Sequence, residues 1–138
     1  MGDIHADTRI KNSDKKVIGN HELEIKIHSF ENNAESILND EAMIYYLFRV
    51  DLKIAGFCAL MLLNDEKNYV VDIGIYKKFR GKIGFHLGKM ALEKFKREIN
   101  DAKVFATIKD SNRASLFYTK SIGFKKIYHR NGIVCLGA

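Results

Sequence analysis

Between residues 22 and 30, apolar Leu23, Ile25 and Ile27 alternate with polar Glu22, Glu24, Lys26 and His28, the period of two that marks a strand with one buried face. Asn32 or Asn33 then precedes Ala34, Ile37, Leu38 and Ala42, whose spacing of three and four predicts a capped helix. Residues 44–50 and 54–63, dense in aromatic and branched side chains, read as two strands joined by a tight turn at Asp51-Leu52-Lys53. After a polar turn at 64–68, residues 69–76 predict a third strand of this meander, with Val70, Asp72 and Gly74 on one face and Val71, Ile73 and Ile75 on the other. The period then changes. Ile83, Leu87, Ala91, Leu92, Phe95 and Ile99 form a helical stripe ending at Asn100, with Lys94, Lys96 and Arg97 placed favourably near its C-terminal end. Residues 104–108 predict a short strand and Asp110-Ser111 a cap, and the helix that follows runs to Lys120 with Gly123 as its left-handed stop. Residues 124–129 and 133–136 flank Asn131-Gly132, a two-residue hairpin signal. The order is therefore β, α, β, β, β, α, β, α, β, β.

At 138 residues, 46% hydrophobic and 29% charged, the chain reads as one globular domain and not as a disordered or fibrous sequence. Residues 1–20 carry scattered charges with little periodic apolar content and are expected to be a flexible N-terminal arm, leaving residues 21–138 as the domain. The longest apolar run, 54–63, falls short of the roughly 18 residues that span a bilayer, and residues 1–20 lack the continuous apolar stretch of a secretory signal. A cytoplasmic protein without membrane attachment is expected. Position 6 is Ala where a Met-Gly myristoylation motif requires Ser or Thr. Cys58 and Cys135 are too few for a disulfide framework and read as buried thiols. His5, His21, His28, His86 and His129 show no ligand spacing, so no metal is expected. A formal charge of +6 fits an anionic partner: nucleic acid, a membrane surface or a phosphorylated cofactor.

The segment Ile73-Gly74-Ile75-Tyr76-Lys77-Lys78-Phe79-Arg80-Gly81-Lys82-Ile83-Gly84 runs a strand through a basic turn directly into a helix. No Ser, Thr, Asp or Asn caps that helix, and uncapped N–H groups at a positive helix end attract anions. Arg80 and Lys82 add charge there, while Gly81 and Gly84 allow phosphate oxygens close to the main chain, so a pyrophosphate fits. Close packing of the helix on the sheet accounts equally well for Gly84 and better for Gly88. A P-loop is excluded because Gly81-Lys82 is followed by Ile83, and no GxGxxG occurs.

Over residues 21–138 the chain resembles the GNAT superfamily of acyl-CoA-dependent N-acetyltransferases. Its element order matches, and residues 75–84 are similar to the family's acetyl-CoA motif, Q/R-x-x-G-x-G/A. Counted from Arg80, the motif glycines fall on Ile83 and Phe85; deleting one residue before Ile83 puts the second on Gly84. A second block, residues 110–124, is similar to N-x-R-A-x-x-x-Y-x-K-x-G-F, with Ser111 for the usual Asn, Asn112 beside it, and one extra residue between Lys120 and Gly123. The resemblance implies an α/β fold: a mixed central sheet of six to seven strands with flanking helices. It implies transfer of an acetyl group from acetyl-CoA, as acyl-donor co-substrate, to a primary amine of a small molecule or protein. It places the cofactor on Ile73, Gly74 and Ile75, whose main chain would pair with the pantetheine arm, on Arg80, Gly81, Lys82, Ile83, Gly84 and Phe85 around the pyrophosphate, and on Asn112. An amide near Ile75 would polarise the thioester carbonyl. The amine would attack directly, so neither cysteine is needed.

Tyr118 matches the family tyrosine near the CoA sulfur, and a phenol with reference pKa near ~10 can protonate a departing thiolate. With Ala114 and Phe117 at helical spacing it also reads as a core aromatic. Asp72, on the cofactor strand, is the carboxylate placed to take the amine's proton through a water, although it also reads as a solvent-facing strand residue. His28, His129 and Glu66 are alternatives. Tyr45 and Tyr46 are candidates for the acceptor pocket or for the core. Two rival readings stand beside catalysis. One is a non-catalytic acyl-CoA-binding regulator of a partner protein. The other is a nucleic-acid binder using Lys77, Lys78, Arg80 and Lys82 with Lys125, Lys126 and Arg130, disfavoured because both runs are read as lacking interleaved exposed aromatics of the stacking kind. A monomer or homodimer is expected.

Overall fold

The alternating segments pair into one sheet in a computed structural model that describes residues 13–27, 43–64 and 66–138. The strands are β1 (Ser13–Ile18), β2 (His21–Ile27), β3 (Met43–Val50), β4 (Lys53–Asn64), β5 (Asn68–Ile75), β6 (Lys103–Lys109), β7 (Lys125–Arg130) and β8 (Ile133–Gly137). Helix α1 (Lys82–Glu98) follows a single 3-10 turn (Lys77–Phe79) and crosses from β5 to β6, and α2 (Arg113–Ser121) connects β6 to β7. The sheet order is β1-β2-β3-β4-β5-β6-β8-β7. β5 and β6 are parallel and every other neighbouring pair is antiparallel. The helix expected after Asn32 or Asn33 lies outside the described residues. No helix among the described residues is long and apolar enough to cross a membrane.

Six to seven strands were expected, and the sheet has eight. The additional one is β1, in the stretch expected to be an arm; it pairs with β2 from Ser13↔Lys26 to Ile18↔His21. This edge strand is polar, with Lys15, Lys16 and Val17 exposed, so main-chain hydrogen bonds and not apolar burial define it. Its signal was the Gly19-Asn20 dipeptide between Ile18 and His21, where Gly19 adopts φ 60°. The turn after β3 also tightens to two residues, Asp51 and Leu52, at φ 50° and 70°. Asp51 supports this left-handed turn: its carboxylate accepts the Glu22 amide at 2.9 Å and lies 2.6 Å from His21 Nδ1. Asn131-Gly132 forms the expected hairpin turn, at φ 52° and 78°.

The core lies between the sheet and α1. Leu87, Ala91 and Phe95 turn inward as the helical stripe predicted, and the Phe95 ring meets Tyr69 of β5 edge-on at 4.8 Å. Lys94, placed by the sequence only as a charge near the C-terminal end of α1, is 0% exposed. Its ammonium lies 2.7 Å from Glu98 and 3.2 Å from Asp14 of β1, and 5.9 Å from the centre of the Tyr46 ring. A lysine enters the core only with its charge answered, and Asp14, which also accepts from Arg97, supplies part of that answer across the sheet.

Burial alone would raise the Asp14 carboxyl, but hydrogen bonds from Arg97 and Lys94 outweigh it and hold the group below its ordinary range. A carboxylate depressed in this way adds stability above its unfolded pKa of about 3.9 and loses it as pH falls through the folded value. Asp14→Asn should therefore cost about 1–3 kcal/mol at pH 7. Thermal melts of the two proteins should converge as the pH drops below the carboxylate range; a constant gap would place the effect elsewhere.

Candidate functional site

β5 and β6 pair only at Asn68↔Lys103, Tyr69↔Val104 and Val70↔Phe105, and then separate. Each strand keeps its other neighbour beyond that point: β5 stays registered with β4 to Ile75, and β6 with β8 to Lys109. The main chain of β5 can be oriented from both ends. The Tyr76 amide donates to Ala55 at 2.8 Å on the β4 side, and the Lys67 carbonyl accepts from Lys103 at 2.9 Å on the β6 side. Counting by twos, Asp72 and Gly74 turn their peptide groups to β4, while Val71, Ile73 and Ile75 turn theirs toward β6. Past Val71, β6 is no longer there to receive them. The peptide groups of Ile73 and Ile75 face a cavity of about 920 Å³ that runs through the gap. That volume is within the range of small-molecule and cofactor sites, roughly 300–1,000 Å³.

At one end of the gap the chain leaves β5, and Arg80 Nε donates back to the Ile75 carbonyl at 3.0 Å. Gly81 is the N-cap of α1 at φ 95°, with no side-chain hydrogen bond to the helix start. A Cβ on Gly81 would meet nothing within 4 Å, so its backbone angle, not crowding, requires glycine. Phe85 donates to the Gly81 carbonyl at 2.9 Å, which makes it the first intrahelical donor. The uncommitted amides of the first turn are thus those of Lys82, Ile83 and Gly84, and Phe85, its amide committed, still borders the cavity. Gly84 itself serves packing: a Cβ there would stand 3.1 Å from the Phe79 carbonyl oxygen and 3.4 Å from Ile75, inside the fold.

Tyr118 of α2 reaches across to α1, where its hydroxyl donates to the Gly84 carbonyl at 2.8 Å. Gly88 was expected to admit the sheet; it admits this phenol, since a Cβ on Gly88 would overlap the Tyr118 hydroxyl. Burial, with Cys58 nearby, raises the phenol above its ordinary range against an opposing hydrogen bond from the Gly88 amide, so it stays protonated at neutral pH. Burial likewise pushes the Cys58 thiol up, which leaves it inert as a nucleophile. Cys58 and Cys135 are both free and buried, as expected.

Asp72 is exposed and lines the same cavity from the other face of the sheet. Asn112 also lines it, but its Oδ1 accepts the Ser115 amide at 3.1 Å, making Asn112 the cap of α2 in place of the expected Asp110-Ser111. Arg80, Gly81, Lys82, Gly84, Ile73, Gly74 and Ile75 all border the cavity. Glu66 sits in the turn before β5, and His129 on β7 pairs with Asp110 at 2.9 Å; neither lines the cavity. His28 lies outside the described residues. Tyr46 is buried against Lys94 and belongs to the core, while Tyr45 is on the opposite face. Missed from the sequence were Phe57, which reaches the cavity from β4, and Thr107 and Ile108 of β6. Only Gly74, a glycine inside a strand, hinted that something approaches closely there. Peptide groups exposed along a strand can pair with an extended, amide-bearing ligand, and an uncapped helix start beside Arg80 and Lys82 can hold an anion.

The family model described as acetyltransferase (GNAT) family matches residues 10–124. Among solved structures, Campylobacter jejuni N-acetyltransferase PseH superposes with a TM-score of 0.63 at 14% identity, over 75% of this chain and 72% of that one. RimL, a ribosomal L7/L12 alpha-N-protein acetyltransferase, gives 0.68 at 13% identity over 84% and 92%. Spermidine N-acetyltransferase from Vibrio cholerae, in complex with CoA and spermine, gives 0.62 at 19% identity over 80% and 75%. At these identities the likeness is one of fold. No curated protein matches the chain.

The contact between Gly88 and Tyr118 yields a test of the site's architecture. Gly88→Ala should destabilise the protein by about 1–3 kcal/mol through overpacking. Combining it with Tyr118→Phe should recover part of the loss in chemical denaturation. Equal losses in the single and double variants would show that the phenol does not fill that space.

Proposed function

Because the chain belongs to the acetyltransferase (GNAT) family, we propose that it binds acetyl-CoA in the gap between β5 and β6 and transfers the acetyl group to a primary amine. The observation that carries this reading is the end of β5–β6 pairing at Val70↔Phe105, with the peptide groups of Ile73 and Ile75 turned into the cavity. Acetyl-CoA supplies an acyl group activated as a thioester. The residues fit it along its length: Ile73 and Ile75 present a strand edge for the pantetheine amides, and Lys82, Ile83 and Gly84 offer first-turn amides for the diphosphate. Arg80 and Lys82 add charge beside them. PseH has been solved with acetyl coenzyme A, which supports the same use of the shared fold.

The chain's own groups then divide the work. The N–H groups of Ile73 and Ile75 can donate to the thioester oxygen. Asp72, on the opposite face of the sheet, accepts the amine's proton through a water. Tyr118 is a neutral donor for the departing sulfur. Its hydroxyl must leave the Gly84 carbonyl to do so, at a cost of about 1 kcal/mol for one neutral hydrogen bond. The amine attacks directly, in keeping with the inert Cys58.

Incubation with acetyl-CoA and a panel of primary amines should yield acetylated amine and free thiol, followed by mass spectrometry. Tyr118→Phe should lower turnover by roughly 10²-fold, within the usual range for losing a general acid. Its affinity for acetyl-CoA, measured by calorimetry, should stay close to wild type. Unchanged turnover would remove Tyr118 from the mechanism. Binding without product from any amine would favour a non-catalytic acyl-CoA-dependent regulator, and absence of binding would overturn the reading.

A further inference from the structure

Two contacts fix which face of the sheet α1 covers: Phe95 against Tyr69, and Lys94 over Tyr46. Strand alternation then puts two rows of cross-strand partners on the other face, Leu47–Phe57–Gly74 and Tyr45–Ala59–Asp72. Asp72 is the only charged residue of the six, and Phe57 is the only β4 residue that reaches the cavity. Phe57 can reach it because Gly74 has no side chain. A Cβ on Gly74 would stand 2.5 Å from Phe57 Cε1 and 2.9 Å from Cζ, so the ring lies directly on the β5 main chain. The Tyr45 ring flanks it from β3, with centroids 6.5 Å apart. Ala59, between Tyr45 and Asp72, keeps the second row shallow.

We infer that Phe57, seated on Gly74, selects the acceptor: the apolar stem of a primary monoamine packs on its ring while the nitrogen passes between that ring and the Asp72 carboxylate. This rests on the acetyl-transfer reading above. Within these two rows Asp72 is the one carboxylate, so a single ammonium is answered there; Glu24, Lys26 and Arg49 lie farther along the same face, on β2 and β3, and a second cation on the same molecule finds no carboxylate among the six residues. The face of an aromatic ring also attracts an approaching ammonium, which brings the nitrogen to the carboxylate that takes its proton. Gly74 is a positioning residue here. Its peptide groups turn to β4, and its lack of a Cβ sets where the ring lies.

The test is steady-state acetyl transfer from acetyl-CoA to butylamine, phenethylamine, ethanolamine and spermidine, using the full chain and the variants Phe57→Ala, Gly74→Ala and the double variant. Wild type should prefer the two apolar amines by about tenfold or more in kcat/KM, the scale of one hydrophobic contact. Phe57→Ala should erase that preference through the KM for the amine. Gly74→Ala, whose methyl drives the ring off the strand, should raise the same KM while acetyl-CoA affinity holds. The double variant should return to the level of Phe57→Ala, a recovery that general weakening of β5 would not produce. Preference for ethanolamine or spermidine, or a Phe57→Ala enzyme like wild type, overturns this assignment and leaves acetyl transfer standing. No product from any of the four amines overturns it as well; calorimetry with acetyl-CoA then shows whether the proposed function falls with it.

Discussion

The two parallel strands at the centre of the sheet share only three registered pairs before they part, and the rest of the site depends on that separation. A buried peptide group without a partner costs about 1–3 kcal/mol, so strands do not part without compensation. Here each strand keeps its outer neighbour, β4 or β8, to the end of its length. Only the inward-facing half of the main chain is given up, and it borders an open cavity where water or a ligand can meet it. The gap thus opens where a short parallel ladder ends between two longer antiparallel ones. It joins the two faces of the sheet, with Tyr118 and the start of α1 on one and Asp72 and Phe57 on the other.

Glycine does three different jobs around this gap. At Gly81 the backbone sits at φ 95°, a conformation that L side chains rarely adopt. At Gly88 the backbone is helical and the missing Cβ is the seat of the Tyr118 hydroxyl, which lets α2 lock onto α1. At Gly74 the missing Cβ is the seat of the Phe57 ring. The last two are matched pairs of a small residue and a large one from different elements, so each glycine is intelligible only with its partner in view.

The charged cluster of Asp14, Lys94, Arg97 and Glu98 ties the edge strand β1 to the far half of α1, the helix whose first turn faces the cavity. Desolvating a lysine is expensive, and its partners come from two elements distant in sequence. The cluster thereby couples docking of the edge strand to the seating of α1. It explains why a strand so polar is part of the sheet at all.

Period and punctuation, which are local, were legible in the chain. Alternation in β2 to β5, the stripe of α1, the Gly123 stop and the Asn131-Gly132 hairpin each follow from neighbours within a few residues, and the uncapped basic entry to α1 was legible in the same way. Periodicity also gave the element order, and the family motifs singled out Tyr118. What the chain could not state was any fact made by residues far apart: that Lys94 is buried because Asp14 meets it, that Phe85 spends its amide on Gly81, that Gly88 waits for Tyr118, and that Gly74 waits for Phe57. Sequence patterns record which residues each element would bury. Only the tertiary structure decides what they are buried against, because packing and charge pairing depend on distance in space and not on separation along the chain.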